Sequence, residues 1–170
     1  MPNGEQVKDR LLGALKGDVA TFEEVEHDRS ATIQAAGIVA VSAVLAGIGG
    51  GLSNSITGGS SSFVSIFITG VLATLISWVA FSAIIDFVGR KFFNAESSVG
   101  QMLRVTGFAS VVTWLIVIPL IGLLSFLWYL WVVFKAIRAG LDIPTVPTLV
   151  VIIIGLVIRL ALRVIFAAIF

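Results

Sequence analysis

Apolar residues in this chain fall in long runs separated by short polar segments. Residues 31–52 form the first run, interrupted only by Gln34 and small hydroxyls. Residues 53–62 are rich in Ser and Gly and read as a short loop. Residues 63–88 form a second run, with Asp86 near its end, and the polar stretch 89–101 carries Arg90, Lys91, Asn94 and Glu96. Residues 102–134 are again apolar. As one helix they would measure about 50 Å, too long for an ordinary crossing of a ~30 Å hydrocarbon core. Pro119 and Gly122 sit near the middle and offer a break. Two short helices over 102–118 and 120–137 are therefore predicted, with a re-entrant pair as the rival reading. A loop over 138–147 holds Asp142, Pro144 and Pro147, and 148–170 is the last run. A membrane-spanning helix needs roughly 20 mainly apolar residues. The pattern predicts an all-α integral membrane helical bundle of about five transmembrane helices.

The first thirty residues follow a different rule. Val7, Leu11, Leu12, Leu15, Val19, Phe22 and Val25 recur at three- and four-residue steps, with Lys8, Asp9, Lys16, Asp18 and Glu23 between them. This is the pattern of an amphipathic helix, open to interruption at Gly17. Such a helix can lie among headgroups, dock on its own bundle, or meet a partner. Glu23, Glu24, Glu26 and Asp28 form an acidic patch, read as a solvated face, with a partner's basic site as the other reading. Two domains follow: a cytoplasmic amphipathic N-terminal segment, 1–30, and a five-span transmembrane domain, 31–170.

Composition agrees with a membrane setting. The chain is 58% hydrophobic and 12% charged, with a mean hydropathy of +1.07, against about half apolar and a quarter charged in soluble domains. Residues 1–29 lack the apolar core of a cleavable signal peptide, so the first run is expected to act as an uncleaved insertion signal. A net charge of +1 gives no case for nucleic acid. The absence of cysteine leaves no disulfide framework and no thiolate site.

The position of the charges orients the bundle. Lys8, Arg10, Lys16 and Arg29, then Arg90, Lys91 and Arg104, then Lys135 and Arg138 all fall on one side of a five-span reading. The opposite segments, 53–62 and the turn at Pro119, hold no Lys or Arg. Basic residues mark the cytoplasmic side, so the N-terminus is expected inside and the C-terminus outside.

Residues able to carry chemistry are few. His27 is the single histidine and lies outside the runs, which leaves no histidine-ligated cofactor within the bilayer and no histidine-based triad. No catalytic group, metal-ligand cluster or cofactor loop is assigned. Asp86 is expected to face a basic residue at the inner interface, with Lys91 the leading partner and Lys135 and Arg138 as others. Arg159 and Arg163 share one face of the last run, and Gly155 extends their stripe. Counted from Thr148, Arg159 lies about 17 Å in, near the midplane. An arginine there costs roughly 2.5–3.5 kcal/mol on insertion scales, so the pair needs an anion, a lipid or a partner subunit, or snorkels to headgroups. Ala43, Gly47 and Gly51 repeat every four residues and form a small-residue stripe for helix packing, within the chain or between chains.

The second half also carries a family resemblance. Ser98-Val99-Gly100-Gln101-Met102-Leu103-Arg104-Val105-Thr106-Gly107-Phe108-Ala109 precedes the apolar hairpin, and a Trp-bearing helix, Ala139-Gly140-Leu141 and a last apolar run follow. From residue 31 onward this resembles the prokaryotic branch of the Yip domain family, the Ypt/Rab-interacting multi-pass membrane proteins. Gly107-Phe108-Ala109 matches the family's Gly-aromatic-small step. The resemblance implies five spans and a cytoplasmic N-terminus. The eukaryotic branch's Asp-Leu-Tyr-Gly-Pro-type motif is missing, and Val111, Val112 and Thr113 stand where many relatives have a proline, so Rab binding is not carried over. Two functional classes remain. One is a non-catalytic scaffold or accessory subunit of a larger membrane assembly, with lipid and a protein partner or a second copy as its contacts. The other is a small transporter or channel component with an anion or lipid site at Arg159 and Arg163.

Overall fold

A computed structural model of the chain describes residues 4–117 and 122–169; at 116–117, 122–123, 159 and 161–169 it describes the backbone alone. Every regular element among these residues is helical. In chain order they are α1 (Gly4–Lys16), α2 (Val19–His27), α3 (Ala31–Ile56), α4 (Phe63–Phe93), α5 (Val99–Ala109), a 3-10 helix (Ser110–Val117), α6 (Gly122–Leu141) and α7 (Thr145–Ile169). The fold is a helical membrane bundle. Three stretches among the described residues are long and apolar enough to cross a bilayer: Ala31–Ile56, Phe63–Phe93 and Leu124–Leu141. A shorter apolar stretch, Thr145–Ile158, opens α7.

The apolar runs become helices, but their ends move. α4 extends through Arg90 and Lys91 to Phe93, so part of the polar stretch expected as loop is its last turn. Basic side chains there suit the negative end of the helix dipole. Asn94 then takes a left-handed conformation, φ 52, and ends the helix. α6 likewise continues to Leu141, and α7 begins at Thr145, with Pro147 in its first turn, where a missing N–H costs nothing.

The continuous helix predicted over 102–118 is corrected. α5 stops at Ala109 and the chain tightens into a 3-10 helix to Val117. The local chemistry explains this. Ser110 Oγ donates to Gly107 O at 2.6 Å, and Thr113 Oγ1 donates to Ser110 O at 2.6 Å. Both bonds reach back three residues, and β-branched Val111, Val112 and Thr113 are poor α-formers. The turn expected at Pro119 lies outside the described residues.

The N-terminal segment is a helical hairpin. Gly17, at φ +69, takes the left-handed position that closes α1; its N–H donates to Ala14 O at 3.0 Å, and that of Asp18 to Gly13 O at 2.9 Å. Asp18 then caps α2, accepting from the Thr21 N–H. Phe22 and Val25 of α2 are fully buried in the same core as Met102, Val105 and Phe108 of α5 and Val132, Ala136 and Ile137 of α6. Of the three settings open to this segment, the chain uses docking on its own bundle.

Outward faces of the long helices are apolar. Val41, Ile48 and Leu52 of α3, Leu72 and Ile76 of α4, and Leu149 and Ile153 of α7 are all exposed. Large apolar side chains facing outward along whole helices are the reverse of a water-facing surface and match hydrocarbon.

Candidate functional site

Two regions concentrate the polar side chains: a charged clasp where the N-terminal hairpin meets the bundle, and a cleft at the depth of the spans.

The clasp is built on helix ends. The last carbonyls of α2 have no acceptor role within the helix. Arg104, on α5 and 8% exposed, supplies their donors: Nε lies 3.0 Å from both Val25 O and Glu26 O, and Nη2 also donates to Glu26 O. Its Nη1 makes a longer contact, 3.4 Å, to Thr32 Oγ1 of α3. The end of α1 is held from α6, where Trp128 Nε1 donates to Leu15 O at 2.8 Å and Lys135 Nζ to Gly17 O at 3.0 Å. A second arginine tie comes from α1. Arg10, almost wholly buried, donates to Glu24 Oε1 and Asp28 Oδ2, each 2.7 Å from Nη2, and to Gln34 Oε1 at 3.2 Å. Asp28 also accepts from the Ser30 N–H and hydroxyl; these bonds, with Arg10, lower its pKa to about 2.

Glu26 stands apart from the rest of the acidic patch. It is 2% exposed; Oε1 accepts from Gln101 Nε2 at 3.2 Å, and Oε2 has no hydrogen-bond partner among the described residues. Burial, reinforced by the negative charge of Asp142, raises its pKa to about 7 against the opposing pull of His27, Gln101 and Arg104. His27 is exposed, with Nδ1 2.8 Å from Glu23 O and 3.9 Å from Glu26 Oε1, and both contacts raise its pKa. The reading of the whole patch as a solvated face fails at Glu26. Its spacing from Phe22, four residues earlier on α2, carries the signal, because that step places both on one helix face.

The cleft lies between α3, α4, the 3-10 helix and α6, with a volume of about 850 Å³. Leu45, Ala46, Phe81, Phe126 and Val133 supply apolar wall, and Ser42, Thr74, Thr106, Ser110 and Thr113 supply hydroxyls. Those hydroxyls are tied down internally. Trp114 Nε1 donates to Ser42 Oγ at 2.9 Å, Trp78 Nε1 to Thr106 Oγ1 at 3.2 Å, and Ser82 and Thr106 share a bond of 2.9 Å. Interhelical bonds of this kind fasten helices in lipid, at about 0.6 kcal/mol each.

The small-residue stripe faces α4. A Cβ on Gly47 would stand 2.9 Å from Phe67 O, and one on Gly51 2.5 Å from the Phe63 ring; Ala43 is fully buried on the same side of α3. Gly70 completes the contact from α4, since its own Cβ would lie 3.2 Å from Gly47 Cα. Asp86 is buried and ion-paired, but not with Lys91. Oδ2 is 3.6 Å from Arg90 Nη1, and Oδ1 accepts from Ser97 Oγ at 2.7 Å. Lys91 Nζ instead sits 5.2 Å from the Phe87 ring centre and 5.7 Å from that of Phe92. Helical geometry decides between them, since a residue four along shares the face and a residue five along does not. The side chains of Arg159 and Arg163 lie outside the described residues.

Among the described residues, no group of three or more His, Cys, Asp or Glu side chains is placed to hold a metal ion. No curated protein and no solved structure matches the chain. The family model of the Yip1 domain does match it, over residues 17–167, from the break between α1 and α2 to the last turn of α7. With that match across most of its length, and with its helical membrane bundle, the chain belongs to the Yip1 domain family.

Proposed function

We propose that this Yip1-family membrane protein acts without catalysis, as a scaffold or accessory subunit that holds another component of a membrane assembly. One observation carries the reading: a cleft of about 850 Å³ at the depth of the spans, largely apolar on its walls, with no charged side chain in its lining among the described residues and with its Ser42 and Thr106 hydroxyls bonded to Trp114, Trp78 and Ser82. A site made for chemistry presents free donors, acceptors or titratable groups to its ligand. This cleft presents packing surface, which suits an apolar segment of a neighbouring polypeptide, a second copy included. The charge distribution supports a cytoplasmic N-terminus and an external C-terminus, and the resemblance to the prokaryotic branch of the family supports a prokaryotic plasma membrane.

The test places a photo-crosslinking residue at Phe126, on the cleft wall, and at Ile153, on the outer face of α7, in cells. A polypeptide adduct of defined mass from Phe126 and not from Ile153 is expected. Lipid adducts alone, equal at both positions, together with a lone monomer in native mass spectrometry, would sink the scaffold reading.

A second reading, a small transporter or channel component, draws on the two arginines of α7. Gly155 packs on Ile85 and Phe81 of α4, and Arg159 stands four residues further along the same helix register. Intramembrane ionisable residues are functional candidates by default. Loss of an anion flux in Arg159→Leu, with the fold retained, would favour this reading over the scaffold.

A further inference from the structure

A second, smaller pocket of about 470 Å³ opens beside the clasp, between the end of α2 and the beginnings of α3 and α5. Its walls include Glu26, Arg29, Ser98, Gly100, Gln101 and Arg104. Four features of this pocket point to the same ligand chemistry.

The carbonyls that would repel an anion, at the end of α2, are already taken by Nε and Nη2 of Arg104. Its Nη1 is left with the 3.4 Å contact to Thr32 and faces Gly100, whose added Cβ would stand 3.5 Å away. Arg29 brings a second guanidinium to the rim and is exposed. The first amides of α5 have no acceptor within the helix; Ser98 takes those of Gln101 and Met102, which leaves Val99 and Gly100. Gly100 has no side chain to bar close approach to its N–H.

Glu26 supplies an independent observation. Its Oε2 is buried and without a hydrogen-bond partner among the described residues, on a residue that lines the pocket. With Gln101 donating to Oε1, a proton on Glu26 belongs on Oε2, and it removes a negative charge from the pocket wall. Ionised, the same group would repel an anion. We infer that this pocket binds a phosphate-type oxyanion, held by Arg104, Arg29 and the first turn of α5, and taken up together with a proton on Glu26. The source of the oxyanion is a lipid headgroup at the inner surface or a soluble phosphate ester.

Four neighbouring side chains bear on that proton. His27 follows it on α2, Arg104 and Gln101 face it from α5, and Asp142 faces it from the turn before α7. Asp28, two residues on, is engaged by Arg10 and Ser30. A Glu26 pKa of about 7 puts the exchange within reach of cellular pH. The inference stands apart from the scaffold reading, because cleft and pocket lie in different parts of the fold.

The experiment uses the full chain in nanodiscs and sulfate as probe, since sulfate keeps its charge between pH 6 and 8. Binding is followed calorimetrically in phosphatidylcholine nanodiscs at constant ionic strength; a parallel arm measures retention of phosphatidylglycerol. Sulfate binding assigns a soluble oxyanion, and phosphatidylglycerol retention without sulfate binding assigns a headgroup. In either arm, affinity should weaken by up to about tenfold from pH 6 to pH 8, the linkage of one proton. Glu26→Gln should flatten that dependence, His27→Asn should preserve it, and Arg29→Gln should weaken binding at both pH values. Absence of binding in both arms, or wild-type affinity equal at pH 6 and 8, overturns the inference. So does a pH dependence that vanishes in His27→Asn and persists in Glu26→Gln.

Discussion

Arg104 holds Glu26 by its main chain and not by its carboxylate. The guanidinium donates to the carbonyls of Val25 and Glu26, while the Glu26 side chain turns to Gln101. An arginine read from sequence as a marker of the cytoplasmic side is therefore one of the bonds between the N-terminal hairpin and the bundle, beside those of Trp128 and Lys135. Lysine has the charge but not the planar fork. Arg104→Lys should leave carbonyls of α2 unpaired and destabilise the docked hairpin by about 2 kcal/mol. Limited proteolysis should then cut near Gly17 far faster than in the wild type. An unchanged cleavage rate would place the anchor elsewhere.

Glu26 also sets a pH dependence of folding. Its pKa is raised from 4.5 to about 7 in the folded chain, so between those values the folded state binds more protons than the unfolded state. Stability contributed by this group is present at low pH and is lost as pH rises through that window. The melting temperature in detergent should fall between pH 5 and 7.5, and Glu26→Gln should remove most of the fall. Parallel curves for the two proteins would refute the assignment.

Gly47 and Gly49 are two residues apart on α3 and should respond in opposite ways. A side chain at Gly47 would meet backbone and ring of Phe67, and Gly49 has open space around it. Gly47→Leu should cost about 1–3 kcal/mol through forced separation of α3 and α4. Gly49→Ala should be neutral or stabilising by up to about 1 kcal/mol, as expected for replacing an unconstrained helical glycine. Thermal unfolding of the two variants side by side decides the matter, and equal losses would show that the stripe does not set the helix separation.

Asp86 offers a choice between adjacent cations. A double-mutant cycle of Asp86→Asn with Arg90→Gln should return a coupling of about 0.5 kcal/mol, small because Arg90 is 60% exposed. The same cycle with Lys91→Gln should return none. A larger coupling to Lys91 would reverse the pairing.

The helices were legible because lipid demands unbroken apolar stretches, and such stretches survive in a bare sequence. The helical character of the N-terminal segment was legible in its periodicity, and Gly17 marked where the pattern could break, but the single amphipathic helix expected there is two helices, α1 and α2. The 3-10 segment was not, since its cause is a set of three-residue hydroxyl bonds within a run as apolar as its neighbours. Arg104 and Glu26 were misread for a shared reason. Each was counted as a charge, while its role depends on partners supplied by packing, with acceptors of Arg104 lying 78 and 79 residues away. Asp86 was recognised as paired, and helical spacing selects Arg90 over Lys91.

The anchors of the N-terminal hairpin have a consequence for biosynthesis. Gly17 O is held by Lys135, 118 residues later, Leu15 O by Trp128, 113 later, and Glu26 O by Arg104. At translation rates of about 5–20 residues per second, the hairpin emerges on the order of ten seconds before its last anchor exists. During that interval Phe22 and Val25 have no bundle to enter. A chaperone, a targeting factor or the membrane surface meets this apolar face first, and docking of the hairpin becomes the sign that α6 has been made and placed.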